Sequence, residues 1–194
     1  MVMTGAHDSA LVCTSVLIAI VASYTALDLA GRIRASQDRA KHLWLATAAF
    51  ALGGGIWAMH FVAMLAFSMP GMEAGYDTAL TLLSFLVAVA ATGLGFSIMS
   101  WPSAPPGRRL VTAGLIMGLG VVGMHYIGMA AMQMAADLRY DRFWLAISVF
   151  IAVGAATAAL WLASRNSGHL ERVVAALMMG GAISGMHFAG MRAA

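Results

Sequence analysis

The sequence predicts an all-α integral membrane protein: six transmembrane helices in three helix pairs related by a pseudo-threefold axis along the membrane normal. Three observations predict it. Of 194 residues, 61% are hydrophobic and only 10% are charged. A soluble domain carries about 25% charged residues, so this chain has too few charges to cover a water-facing surface. Six apolar runs are long enough to cross a hydrocarbon core of about 30 Å, which takes about 20 helical residues. One motif also recurs three times at nearly constant spacing, the mark of internal repetition.

The runs fall at 9–31, 43–68, 78–101, 110–134, 143–164 and 173–191. They are continuous, not alternating, and a backbone in lipid must satisfy its own polar groups, so each is read as a helix. The repeats then cover 9–68, 78–134 and 143–191 of a single domain, 1–194. The first run is too long for a signal peptide and has no basic segment before it, so no cleavage is expected. Cys13 is the sole cysteine, which excludes an intramolecular disulfide and a thiolate cluster. The net charge of +3 is small and sits in short connections, which argues against a nucleic-acid binder.

Charge sets the orientation. Arg32, Arg34, Arg39 and Lys41 lie between the first two runs, Arg108 and Arg109 between the third and fourth, and Arg165 and Arg172 between the fifth and sixth, eight of the eleven basic residues in all. By the positive-inside rule these connections are cytoplasmic and the N-terminus is outside. Cysteines placed at Ser36 and Ser103 are therefore expected to resist an impermeant thiol reagent added to intact cells; labelling of both would reverse the orientation. Asp28 falls near the cytoplasmic end of the first helix, four residues before Arg32, where an ion pair is expected. A relay element below the repeated site is the alternative role. His42 and His169 fall in the cytoplasmic connections and are expected to be solvated.

The motif reads small-x-x-small-Met-His-aromatic-x-small-Met. The copies are Gly55, Ala58, Met59, His60, Phe61, Ala63, Met64; Gly120, Gly123, Met124, His125, Tyr126, Gly128, Met129; and Ala182, Gly185, Met186, His187, Phe188, Gly190, Met191. His60 to His125 is 65 positions and His125 to His187 is 62, one helix pair per period. The histidines follow the last basic residue of the preceding connection by 19, 16 and 15 residues. At 1.5 Å per residue that is roughly 22–28 Å, which puts all three in the outer half of the membrane. The flanking small residues are expected to let the even helices approach closely.

Each copy places a methionine four residues after the histidine, so an imidazole and a thioether share a helix face. Met132 is expected to extend that face of the fourth helix by a turn, while Met59, Met124 and Met186 point about 100° away, toward the next groove. Ten of the sixteen methionines fall from a motif outward, Met69, Met72 and Met134 among them. Soft sulfur with imidazole favours copper over zinc or magnesium, and the lack of a carboxylate at that depth disfavours hard cations. The candidate metal ligands are thus His60, His125, His187, Met64, Met129, Met191, Met59, Met124, Met186 and Met132, with His7 at the outer mouth as an extra one. The alternative for the histidines is a structural polar network, although an ionisable residue inside a bilayer is costly and functional by default. No nucleophile–base or carboxylate pair accompanies the triad, so hydrolysis and group transfer are not expected. Haem- or copper-dependent redox chemistry and copper transport are the competing classes; transport lacks an evident run of ligands through the inner half, which offers Asp28, Met99, Met117, Met178 and Met179.

Met59-His60-Phe61, Met124-His125-Tyr126 and Met186-His187-Phe188, with Ser23-Tyr24-Thr25-Ala26-Leu27-Asp28 in the first helix, resemble the MHYT domain of bacterial membrane sensors over essentially the whole chain. The resemblance implies a sensory input module of the inner membrane that binds copper through Met and His near the outer face. It implies sensing of oxygen, carbon monoxide or nitric oxide, and a cytoplasmic GGDEF/EAL-type output domain for cyclic di-GMP in the full-length protein. Homo-oligomers are compatible with it. The motif's final Thr is replaced by Val62, Ile127 and Ala189, so a hydroxyl there is not required. The family pattern also has a further helix leading into the cytoplasm, so a seventh span beyond Ala194 is expected.

Overall fold

A computed structural model describes residues 6–68, 75–101, 105–133, 140–165 and 168–194. Met69, Met72, Ser103 and Met134 lie outside them. Six helices are long and apolar enough to cross a membrane: α1 (Ser9–Ala35), α2 (Asp38–Leu65), α3 (Thr78–Met99), α4 (Pro106–Ala131), α5 (Arg142–Ser164) and α6 (His169–Ala193). Each helix packs against its chain neighbours and α6 closes onto α1, with the even helices also touching one another near the axis. The expected six helices in three pairs are therefore present, and the protein is a multi-pass membrane protein.

Local chemistry starts five of the six helices. Asp8, Asp77 and Asp141 cap α1, α3 and α5: each side chain accepts backbone N–H groups of the first turn at 2.8–3.1 Å, satisfying donors that a helix start leaves orphaned. Pro106 opens α4, where its missing N–H costs nothing. Glu171 reaches back to the Gly168 N–H at 3.2 Å to start α6. The same aspartates also close each pair, because their own N–H groups donate to the carbonyls of Ala66, Ala131 and Ala193 at 2.9, 2.8 and 2.7 Å. In two pairs a short antiparallel ladder stands beside this bond: β1 (Ala6–His7) with β2 (Phe67–Ser68), and β3 (Gly75–Tyr76) with β4 (Met132–Gln133).

These mouths correct several boundaries. α2 stops at Leu65 and α4 at Ala131, short of the expected 68 and 134. Met132 is extended and pairs with Tyr76, so it does not extend the ligand face of α4. The physical reason is that the Ala131 carbonyl is already taken by Asp77 and the next residues pair as a strand. At the other end the helices begin earlier than expected, and most of the basic residues sit on helix ends, not in loops. His42 lies one turn into α2, its Nδ1 2.9 Å from the Asp38 carbonyl. His169 begins α6 and hydrogen-bonds the Tyr24 hydroxyl at 3.0 Å.

The side chains reverse the order of a water-soluble protein. Large apolar residues point outward around the belt, Phe150 being 83% exposed, while alanines such as Ala19, Ala48, Ala88, Ala113 and Ala152 fill the helix contacts, as expected where close backbone approach replaces hydrophobic drive. Gly55 meets Ala22 and Gly120 meets Ala91, each leaving no room for a methyl group. The third copy has Ala182 at this place, and Ala155 and Ala182 both line a small cavity beside α5.

Asp28 pairs with Arg32 at 3.1 Å, as expected, and also with Arg172 of α6 at 2.7 Å. From the Asp8–Ala66 bond, His60 lies six residues back along α2 and Asp28 twenty residues on along α1. The difference, about fourteen residues, separates them by roughly 21 Å along the membrane normal. Asp28→Asn is therefore expected to leave the metal content of the protein unchanged and to lower stability by about 1 kcal/mol or less, the range for a partly exposed pair. Metal loss from a folded Asp28→Asn protein would show that the two sites are coupled.

Candidate metal centre

The even helices each present a ridge at every fourth residue toward the axis: Leu52, Ile56, His60, Met64 on α2; Met117, Val121, His125, Met129 on α4; Met179, Ile183, His187, Met191 on α6. At this spacing successive side chains stack on one helix face. The three histidines are fully buried, and one ring nitrogen from each lies within 4.8 Å of the other two. The convergent atoms are Nδ1: His60 to His187 at 2.9 Å and His125 to His60 at 3.2 Å. The rings stand edge to face, centroids 4.8–5.3 Å apart.

The protons decide what this trio can hold. A neutral imidazole has one N–H and one lone pair. If the protons sit on Nε2, three Nδ1 lone pairs face one another. If one sits on Nδ1, a single N–H serves two lone pairs and the triangle is still incomplete. All three Nε2 atoms are buried with no hydrogen-bond partner among the described residues, so no second contact selects a tautomer. Each unpaired buried group costs about 1–3 kcal/mol. A cation that takes the three lone pairs relieves the inward conflict. Three nitrogens about 2.0–2.1 Å from one metal stand about 3.3–3.6 Å apart, a few tenths of an ångström wider than the two edges seen, so the residues fit a metal with little movement. No cysteine or carboxylate joins the cluster among the described residues, which leaves a soft-to-intermediate donor set.

Shape seats the outer edges of two of the rings. The His60 Nε2 edge lies where a Cβ on Gly128 would be, and the His125 Nε2 edge where one on Gly190 would be. These are the two motif glycines at which even helices meet. The expectation that every flanking small residue serves that contact is corrected: Gly55 and Gly120 pack on odd helices, and Gly185 has nothing within 4 Å of an added Cβ.

Methionines surround the trio. Met64 and Met129 are buried one turn along the ridge, and Met191 is half-buried. Met59, Met124 and Met186 are buried in the apolar core. On the basic side the next layer is Ile56, Val121 and Ile183, which line an apolar cavity of about 30 Å3 together with Met117 and Met179.

An aromatic lid covers the other side. Phe61, Tyr126 and Phe188 each stand edge-on to the preceding histidine at 4.9–5.2 Å. Each also meets the residue before a capping aspartate: Phe61 with Tyr76 at 5.6 Å, Tyr126 with Tyr140 at 5.3 Å, and Phe188 with His7 at 6.4 Å. His7 is thus the threefold counterpart of two tyrosines. It is exposed, packs on Phe67 at 5.2 Å and stands outside the convergent cluster. Burial raises the Tyr76 phenol above its ordinary range, and burial with the neighbouring Tyr126 raises that of Tyr140, so both lid tyrosines are neutral at pH 7.

Sequence reading missed Ser15, Ser84 and Ser148, all fully buried. Ser84 accepts the Trp57 indole N–H at 3.1 Å and Ser148 bonds the Tyr126 hydroxyl at 2.9 Å. The signal was available: each serine follows a capping aspartate by seven residues.

The chain matches the family MHYT, "Bacterial signalling protein N terminal repeat", over residues 53–113 and 118–176. It belongs to the MHYT family. The MHYT chain is 47% identical over 197 residues to the bifunctional diguanylate cyclase/cyclic di-GMP phosphodiesterase MucR of Pseudomonas aeruginosa, covering 99% of this chain and 28% of that protein. It is 43% identical to the cyclic di-GMP phosphodiesterase NbdA of the same organism, over 96% of this chain and 24% of NbdA. It is 31% identical to the signaling protein YkoW of Bacillus subtilis, over 97% of this chain and 24% of YkoW. The MHYT chain thus spans about a quarter of the length of the curated relatives it matches. No solved structure matches it. A membrane-embedded sensory input role follows from the family and these signalling relatives.

Proposed function

We propose that this MHYT domain holds copper on the Nδ1 atoms of His60, His125 and His187, with thioether sulfur of Met64, Met129 and Met191 beside it. It senses a diatomic gas (oxygen, carbon monoxide or nitric oxide) or redox state, and it signals to a cytoplasmic domain that makes or breaks cyclic di-GMP. The observation that carries this reading is the convergence of three buried imidazole nitrogens whose proton count cannot complete a hydrogen-bonded triangle.

Bound copper would supply a redox-active centre able to take a small ligand. The protein's part is positional. Gly128 and Gly190 seat two of the rings, the Phe61, Tyr126 and Phe188 lid limits water, and the triad ties three helices at one depth. Any change in the separation of the imidazoles is passed to α2, α4 and α6 as rigid rods. The Asp28–Arg172 pair then joins α6 to α1 at the basic end, taken here as the cytoplasmic face of the inner membrane. The edge-to-face packing of the three rings leaves no slot for a planar macrocycle, which disfavours haem at the triad. Ile56, Val121 and Ile183 interrupt the donors directly below it, which disfavours a conduit. Elemental analysis of protein purified without a metal-affinity tag tests the reading, with a visible spectrum to detect haem. Bound copper and no haem bands are expected; metal-free protein that takes up no added copper would sink it.

A further inference from the structure

At the basic end, α1, α5 and α6 leave an open cleft of about 290 Å3. Arg32, Arg34, Arg165 and Arg172 line it, with Asp28 as the carboxylate among them. Four guanidiniums thus face one carboxylate. Asp28 is bonded to Arg172 and Arg32. Arg34 donates to the carbonyls of Ala163 and Arg165 at the end of α5, which satisfies the carbonyls but leaves its charge in place. Arg165 lies over the Trp161 ring at 4.6 Å. The Arg172 Nε is buried without a partner among the described residues. Leu27 and Leu162 also line the cleft and make part of it apolar.

This combination sits in the end turns of membrane-spanning helices, the last of α1 and α5 and the first of α6, where hydrocarbon gives way to headgroups. Uncompensated guanidiniums need an anion, and their planar forks match phosphate oxygens. The apolar part needs an acyl or glycerol portion, which a free phosphate lacks. We propose that the cleft binds the phosphodiester headgroup of an anionic phospholipid. Basic pockets between membrane helices bind such headgroups in general. The lipid would bridge α1 to α5 and α6, the seam where the last helix pair closes onto the first without a covalent link.

The test uses the whole chain in detergent, titrated separately with phosphatidylglycerol, phosphatidylcholine and inorganic phosphate, and read by native mass spectrometry and thermal unfolding. Phosphatidylglycerol is expected to remain bound and raise Tm, and phosphatidylcholine is not. Arg165→Gln and Arg32→Gln are each expected to weaken phosphatidylglycerol about fivefold, the factor that corresponds to about 1 kcal/mol for one basic residue at an anionic surface. Arg108→Gln, at the same end but outside the cleft, is expected to change nothing. Neither cleft variant removes the carbonyl contacts of Arg34, so one that folds suffices. Equal retention of the two lipids, unchanged affinity in a folded cleft variant, or full displacement of phosphatidylglycerol by inorganic phosphate would each overturn the proposal, the last by making this a soluble-phosphate site.

Discussion

Single replacement of His60, His125 or His187 by Ala is expected to remove most of the copper proposed to sit on the triad. Each imidazole comes from a different helix, and the His60 Nδ1 is within hydrogen-bonding range of the Nδ1 of both others, so no neighbour can supply a missing one. Even the loss of an outer partner of a ligand typically costs 10–100-fold in affinity; loss of a nitrogen ligand is expected to cost at least that. Met64→Leu, Met129→Leu or Met191→Leu should cost less, because thioethers are weaker donors and the buried volume is kept. Ligation needs neutral imidazoles, so copper is expected to be retained near neutral pH and released on acidification. Copper stoichiometry on folded variants reads the result. Full copper in all three His→Ala proteins would leave the trio as a structural polar network and remove the chemical basis of gas or redox sensing.

Gly190→Ala and Gly128→Ala disrupt the same site with no change of ligand. The added methyl of Gly190→Ala falls on the His125 imidazole, and that of Gly128→Ala on His60. A ring pinned by two other rings and a helix backbone has nowhere to go, so the cost is that of overpacking a core, about 1–3 kcal/mol. Copper affinity is expected to fall with it, because the Nδ1 is carried away from its partners. Gly185→Ala is the control: it lies on the same helix, five residues away, and its methyl meets nothing within 4 Å. Equal Tm and equal copper content in Gly190→Ala and Gly185→Ala would show that steric seating does not set the triad.

Much of this architecture is written in the sequence. Long apolar runs with few charges leave the backbone no alternative to helices in lipid, and a motif that returns every helix pair can only come together around a common axis. The three histidines, their shared depth and the Asp28–Arg32 pair were legible for that reason, since each depends on spacing along one helix or on repetition of the whole unit. The family was legible from the same motif.

Tertiary structure decided what depends on neighbours distant in the chain. Which ring nitrogen points inward follows from Gly128 and Gly190 on other helices, a steric fact that no pattern around His60 or His125 contains. Asp8, Asp77 and Asp141 close each pair through their N–H groups on Ala66, Ala131 and Ala193, contacts between residues far apart in the chain. That closure ends α4 early and turns Met132 into a strand residue. His7 read as a spare ligand because histidine binds metals; its place beside Phe188, where the other repeats put Tyr76 and Tyr140, makes it part of the lid. Arg172 reaches Asp28 across 144 residues of chain, because α6 returns to α1 when the ring closes. Local spacing determines helices and their faces; only the packed ring determines which atoms meet.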